Sequence, residues 1–190
     1  MTTVVVPRFS ESWRYAGWTS TQESAAGGAV DSSGDLVLCG KSNGLAFSID
    51  DDSVTTTYSA DFAAVKLQGT TGEELWTWED SSADGADWMV SAGTDGNDNV
   101  FLGGFTNGGW ASGSPNSDGF RDIAAVKLSG VDGTELWRYQ ASSSTSSSLG
   151  GGGFGVSYVL GVSVGSDGDP ILVGSTFNSL VGDVGIPGDW

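Results

Sequence analysis

The chain has 190 residues, 38% apolar and 11% aromatic, with eight Trp; that is too apolar for a disordered chain and long enough for a core in one domain. Seven basic against 24 acidic residues leave a net charge of −17 and there is no His, so phosphate backbones and anionic lipid are poor partners. A single cysteine, Cys39, rules out an internal disulfide framework, and no apolar run approaches bilayer-spanning length.

Thirty-one Gly and only four Pro punctuate short apolar runs, the pattern of many short strands joined by tight turns. In chain order, Thr3–Val6 and Ser12–Tyr15 (SWRY) read as the first two strands. The opening MTTVVVPRFS lacks the long apolar core of a signal peptide. After the turn DSSGD comes Leu36–Gly40 (LVLCG), and Asp50, Asp51 and Asp52 read as a solvated loop. Ala63–Leu67 and Glu74–Trp78 follow, joined by the Gly-bearing QGTTGE, with Trp76 and Trp78 on one strand face. Trp88–Ala92 and Asn99–Gly103 (NVFLG) flank the turn TDGND. The last four strands are Ala124–Leu128, Glu135–Tyr139, Tyr158–Val164 and Pro170–Gly174 (PILVG).

The chain repeats itself. Asp61–Trp78 (DFAAVKLQGTTGEELWTW) and Asp122–Tyr139 (DIAAVKLSGVDGTELWRY) share eleven of eighteen positions at a constant offset of 61. SWRY at Ser12–Tyr15 echoes LWRY at Leu136–Tyr139, so Trp13 corresponds to Trp76 and Trp137. One repeat domain over 1–190 results, with units 1–60, 61–121 and 122–190 and a Ser/Gly-rich insertion at 141–155 that reads as a loop. Aligning the V-x-L-x-G runs sets Cys39 opposite Leu102 and Val173 on the fourth strand, a buried packing position.

The order D-x-A-A-V-K-L, Gly turn, E-L-W, apolar strand, D-G-N turn and V-x-L-x-G resembles the seven-bladed β-propeller repeat family of bacterial type. The resemblance covers nearly the whole chain, strongly in the second and third units. It implies an all-β fold of three consecutive four-stranded antiparallel blades, as a partial propeller or a blade stack, and an extracellular or cell-surface setting. The family closes a ring with more than three units. Three units in a row leave the outer faces of the first and third bare, and the third unit has no polar capping character. The partners expected are therefore copies of this chain or further blades of a longer one.

Catalytic motifs do not survive inspection. GKSNG and GVSVG match G-x-S-x-G, but a nucleophilic serine needs a base and the chain has no His; GVSVG also lies in a strand, where an elbow into a helix is required. Gly150–Gly155 fits G-x-G-x-x-G without a following helix to hold a phosphate. Asp95, Asn97 and Asn99 have the 1, 3, 5 spacing of a calcium loop, yet Val100 stands where Gly is needed and Thr106 where Glu is needed, so a hairpin turn is the better reading. Lys66 and Lys127 share one repeated position, and each is expected to lay its stem along the sheet with its charge in solvent or on an Asp. The repeated aromatics, Trp76 and Trp137 among them, are expected to pack between units in equivalent buried positions. Trp110 belongs to no repeat and is the aromatic to expect at a binding surface.

These readings favour a non-catalytic structural or interaction module that self-assembles or docks onto a larger complex. The alternative is an extracellular propeller that binds carbohydrate or another ligand through loop aromatics. No cofactor is implied, calcium at the Asp95 turn being the one considered.

Overall fold

The computed structural model describes residues 14–15, 24–50, 53–80, 85–111, 121–141 and 157–175, with the backbone alone for 43–50 and 53–59. The fold is all-β and antiparallel, with no helix among the described residues. Among the described residues, ten strands form three sheets. The first holds β1 (Ser24–Val30), β2 (Leu36–Asp50), β3 (Ser53–Leu67) and β4 (Glu74–Asp80) in chain order. The second holds β5 (Trp88–Thr94), β6 (Val100–Thr106), β7 (Asp122–Leu128) and β8 (Glu135–Ala141), again in chain order. The third has two strands, β9 (Tyr158–Val164) and β10 (Pro170–Ser175). Thr3–Val6, Trp13, Asp51, Asp52 and the insertion from 142 onward lie outside the described residues.

Each four-stranded sheet joins the last two described strands of one sequence unit to the first two of the next, so positions 61 and 122 fall inside sheets. The strongest match in the sequence thus marks the second half of each four-stranded sheet. Its offset of 61 is carried into the pairing: Lys66 opposes Trp76 and Lys127 opposes Trp137, each beside a one-residue irregularity. The first half is seeded by tight turns. Asp31 N–H donates to the Asp35 carbonyl, Asp95 N–H to Asn99 and Gly165 N–H to Asp169, and the fourth turn position has positive φ at Gly34, Asp98 and Gly168. Leu36, Val100 and Pro170 are therefore equivalent, and so are Cys39, Gly103 and Val173.

That equivalence corrects the alignment of Cys39 with Leu102 by one residue. The pair Gly103–Gly104 admits two alignments, and the bulge decides between them. Residues 26, 90 and 160 are each the extra residue of a strand that bulges at the same place. Opposite it, Gly40, Gly104 and Gly174 lie so close to the Ser24, Trp88 and Tyr158 carbonyls that a Cβ would stand 1.8, 1.9 and 2.1 Å away. The structure also adds β1, whose SAAGGAV has no alternation to announce a strand, and extends β2 and β3 into a long hairpin over 36–67.

The sheets stack face to face in chain order. Val37, Cys39, Phe62, Ala64, Trp76 and Trp78 from the first meet Met89, Val100, Leu102, Ala124, Val126 and Leu128 from the second in one core. A smaller core joins Ile123, Tyr139 and Ala141 of the second sheet to Val159, Val162 and Leu172 of the third. Strands β6 and β7 are buried along their whole length because the second sheet is covered on both faces.

Candidate interaction surface

The position that follows each tight turn reports what covers a sheet. Val37 and Cys39 are fully buried by the second sheet, and Cys39 is a free thiol. Phe101, at the place of Val37, is equally buried on the side of the third sheet, and a Cβ on Gly103 would meet Val162, Val159 and Leu172. Ile171 and Val173, their counterparts on β10, are 54% and 58% exposed, and Leu160 at the bulge is 66% exposed. The position that buries Val37 and Phe101 presents Ile171 to solvent, and the position that buries Cys39 and is closely packed at Gly103 presents Val173. Val162, by contrast, faces inward: its N–H donates to Ser91 Oγ at 3.0 Å and its side chain packs on the second sheet.

The edge repeats the message. Strand β2 pairs with β3 and β6 with β7 along their full lengths. Among the described residues, no strand pairs with the corresponding edge of β10. Trp76 and Trp137 occupy equivalent places but not equivalent surroundings. The Trp76 indole donates to the Gly130 carbonyl at 3.1 Å and lies against Gly133, in the turn between β7 and β8. Trp137 is only half-buried, since the described part of the third sheet has no such turn to cover it.

Charged groups inside the stack hold sheets together. Lys66 Nζ lies 2.6 Å from Asp31 Oδ2 and donates to the Gly130 carbonyl of the next sheet at 2.8 Å. Lys127 Nζ lies 3.2 Å from Asp95 Oδ2 and 4.7 Å above the Phe101 ring. The repeated lysine thus rests on an Asp, and both partners are buried. Burial pushes the Asp31 and Asp95 carboxyls up. Lys66 and the Asp35 and Ser33 N–H groups outweigh it at Asp31, and the Asn99 side chain and N–H, Lys127 and the Asn97 N–H outweigh it at Asp95, so both end below the usual range.

The calcium-like residues are spoken for by this turn. Asp95 accepts the N–H groups of Asn97 and Asn99 at 2.9 and 2.8 Å and the Asn99 side-chain amide at 3.0 Å, besides Lys127. Among the described residues, no three His, Cys, Asp or Glu side chains converge as metal ligands. Trp110 turns inward rather than out. It is 7% exposed, its ring centre lies 4.6 Å from Phe62, and its indole donates to Asp80 at 3.0 Å. Gln140 accepts its backbone N–H at 2.7 Å, and Arg138 stacks on its outer face while pairing with Asp80 at 2.7 Å. Trp110 is thereby stapled across two sheets.

A feature that sequence reasoning missed lies beside this staple. Asp87 is 1% exposed and neither carboxylate oxygen finds a hydrogen-bond donor at full geometry. Its backbone N–H donates to the Ala60 carbonyl at 2.7 Å, which fixes the residue in the interface. Burial lifts its carboxyl to about 6; the nearby Thr106 hydroxyl and Asn107 N–H pull the other way, and the charges of Asp61 and Asp80 add to the rise. Asp87 sits in no repeated stretch, so no pattern announces it.

No helix among the described residues is long and apolar enough to cross a membrane. No protein-family model matches the sequence, and no curated protein is significantly similar to it.

Proposed function

We propose that this chain is a non-catalytic assembly module, built of β-propeller-type blades, whose β10 face and edge take a protein partner. The observation that carries this reading is the exposure of Ile171 and Val173 at positions that are buried in both other sheets. An apolar sheet face next to an open edge is an interface or an aggregation hazard on any acidic, water-exposed chain. The tight turns, bulges and buried Lys–Asp pairs that recur from sheet to sheet support a blade-like repeat, and the internal offset of 61 supports a common origin for the blades. With no His in the chain, the commonest general base is missing, and the buried Asp31, Asp80 and Asp95 are engaged in turns and ion pairs. A glycan-binding reading rests on loop aromatics, and Trp110 is committed to the core.

The test is the double substitution Ile171→Glu, Val173→Glu. It should leave the far-ultraviolet spectrum unchanged and abolish association of the chain with itself or with a captured partner. Unchanged association, or saturable glycan binding quenched by loss of the aromatic at 137 or 139, would favour the alternative.

A further inference from the structure

Strands β2 and β3 outrun the sheet that packs on them. Strand β5 lies alongside the first sheet from Val30, whose carbonyl accepts the Thr94 hydroxyl at 3.3 Å, to Lys41, whose Nζ stands 4.9 Å over the Trp88 ring. At that level the described strands of the second sheet stop: Trp88 opens β5, Ala86 bridges to Ala60, and Trp110 closes on Phe62. Among the described residues, β1 pairs with β2 no further than Lys41, and β4 with β3 no further than Phe62. The β2–β3 ladder nevertheless runs on from Ser42↔Asp61 to Asp50↔Ser53. These nine residue pairs project as a two-stranded arm about 30 Å long.

The register gives the arm two unlike faces. Alternate residues of a strand share a face, and Val37, Cys39, Phe62 and Ala64 belong to the core against the second sheet. Carried along the unbroken ladder, that face comes to Leu45, Phe47 and Ile49 on β2 and to Val54, Thr56 and Tyr58 on β3. Ala46, Ser48, Thr55 and Thr57 fall on the other face. The arm thus continues, with no charged residue at these positions, the face by which the first sheet covers the second.

The outer face of the third sheet is the matching surface. Ile171 and Val173 stand opposite Ser163 and Gly161 in the β9–β10 ladder, and these four share the face turned away from the second sheet. Leu160, at the bulge, is exposed beside them. A Cβ on Gly161 would meet nothing within 4 Å, so the surface is open there. None of these five residues is charged, and β9 and β10 span only about 20 Å.

Resting on the assembly reading above, we infer that the arm of one copy lies across the outer face of β9 and β10 of a second copy. The first sheet then does for another molecule what it does for its own, laying the β2–β3 face on a neighbouring sheet. Leu45, Phe47 and Ile49 supply the apolar cover for Leu160, Ile171 and Val173. The arm is long enough to cross the whole of the shorter sheet. In a chain of net charge −17, two uncharged faces are where copies approach at the lowest electrostatic cost.

Phe47→Glu should disable the arm, and Ile171→Glu should disable the face that receives it. Each variant alone should sediment as one copy of 19.4 kDa. An equimolar mixture should shift to twice that mass and no further, because one intact arm meets one intact face. Ser48→Glu places the same charge on the opposite face of the arm and should associate as the unchanged chain does. Association lost with Ile171→Glu but kept with Phe47→Glu would retain the assembly reading and overturn the arm as occupant. Association kept with Ile171→Glu would overturn both. A mixture that stays at single-copy mass, a Ser48→Glu variant as impaired as Phe47→Glu, or an unchanged chain that is itself a single copy would overturn the inference as well.

Discussion

Asp87 is the side chain whose surroundings fit it least. The folded state keeps its proton until about pH 6, whereas an ordinary aspartate gives it up near 3.8. Between those values the folded chain binds more protons than the unfolded one. Its contribution is therefore most favourable below 3.8 and is lost as pH rises through about 6, up to about 3 kcal/mol in all. Asp87→Asn should flatten this limb, and the difference between the two urea midpoints from about pH 4 to 8 reads it directly. Cys39 gives a second check: burial pushes its thiol to about 12, so thiol reagents should label it only as the protein unfolds, and Cys39→Val should cost less than about 1.5 kcal/mol. Burial of Cys39 was legible from its place in an apolar strand, but its partner in the next unit was not, because the adjacent glycines 103 and 104 fit the pattern in two ways. Trp110 was misread for a related reason: a lone aromatic in a Gly-rich loop carries no periodicity, and only the distant Gln140 and Asp80 reveal which way it turns.

Strands β3, β4, β7 and β8 were readable because the Asp–Lys pair, the Gly turn and the paired aromatics are each needed twice for the same physical task. Lys66 joins its own sheet's turn to the next sheet through Asp31 and Gly130. Lys66→Met should leave the Asp31 charge buried without its partner and destabilise by about 3 kcal/mol; adding Asp31→Asn should recover part of that loss in a double-mutant cycle. Asp31 itself acts with the opposite sign to Asp87. Its carboxyl is held below the ordinary value, so the stability it contributes is present above 3.8 and is lost as pH falls further. β1 escaped notice because small residues let it lie tightly against the second sheet: a Cβ on Gly27 would stand 2.5 Å from the Val90 carbonyl. A strand chosen for close approach has no apolar alternation to display.

Among the described residues the two four-stranded sheets are cut half a unit out of step with the sequence repeat, so the matched segments begin in the middle of a sheet. Among the described residues the last sheet has two strands where the others have four, and its apolar Ile171 and Val173 are exposed. Sequence alone led to the expectation that the stack needs a neighbour; it could not show which residues would meet one, because Val162 and Ile171 look alike until the register of β9 on β10 assigns them to opposite faces. The net charge of −17 opposes close approach of copies and is screened by salt, so association should strengthen as ionic strength rises. Sedimentation equilibrium of the unchanged chain at physiological salt, over a hundredfold range of concentration, tests this most directly. The mass should exceed 19.4 kDa and grow toward at least two copies with concentration; a compact single copy throughout, with Ile171 and Val173 still exposed, would contradict the account.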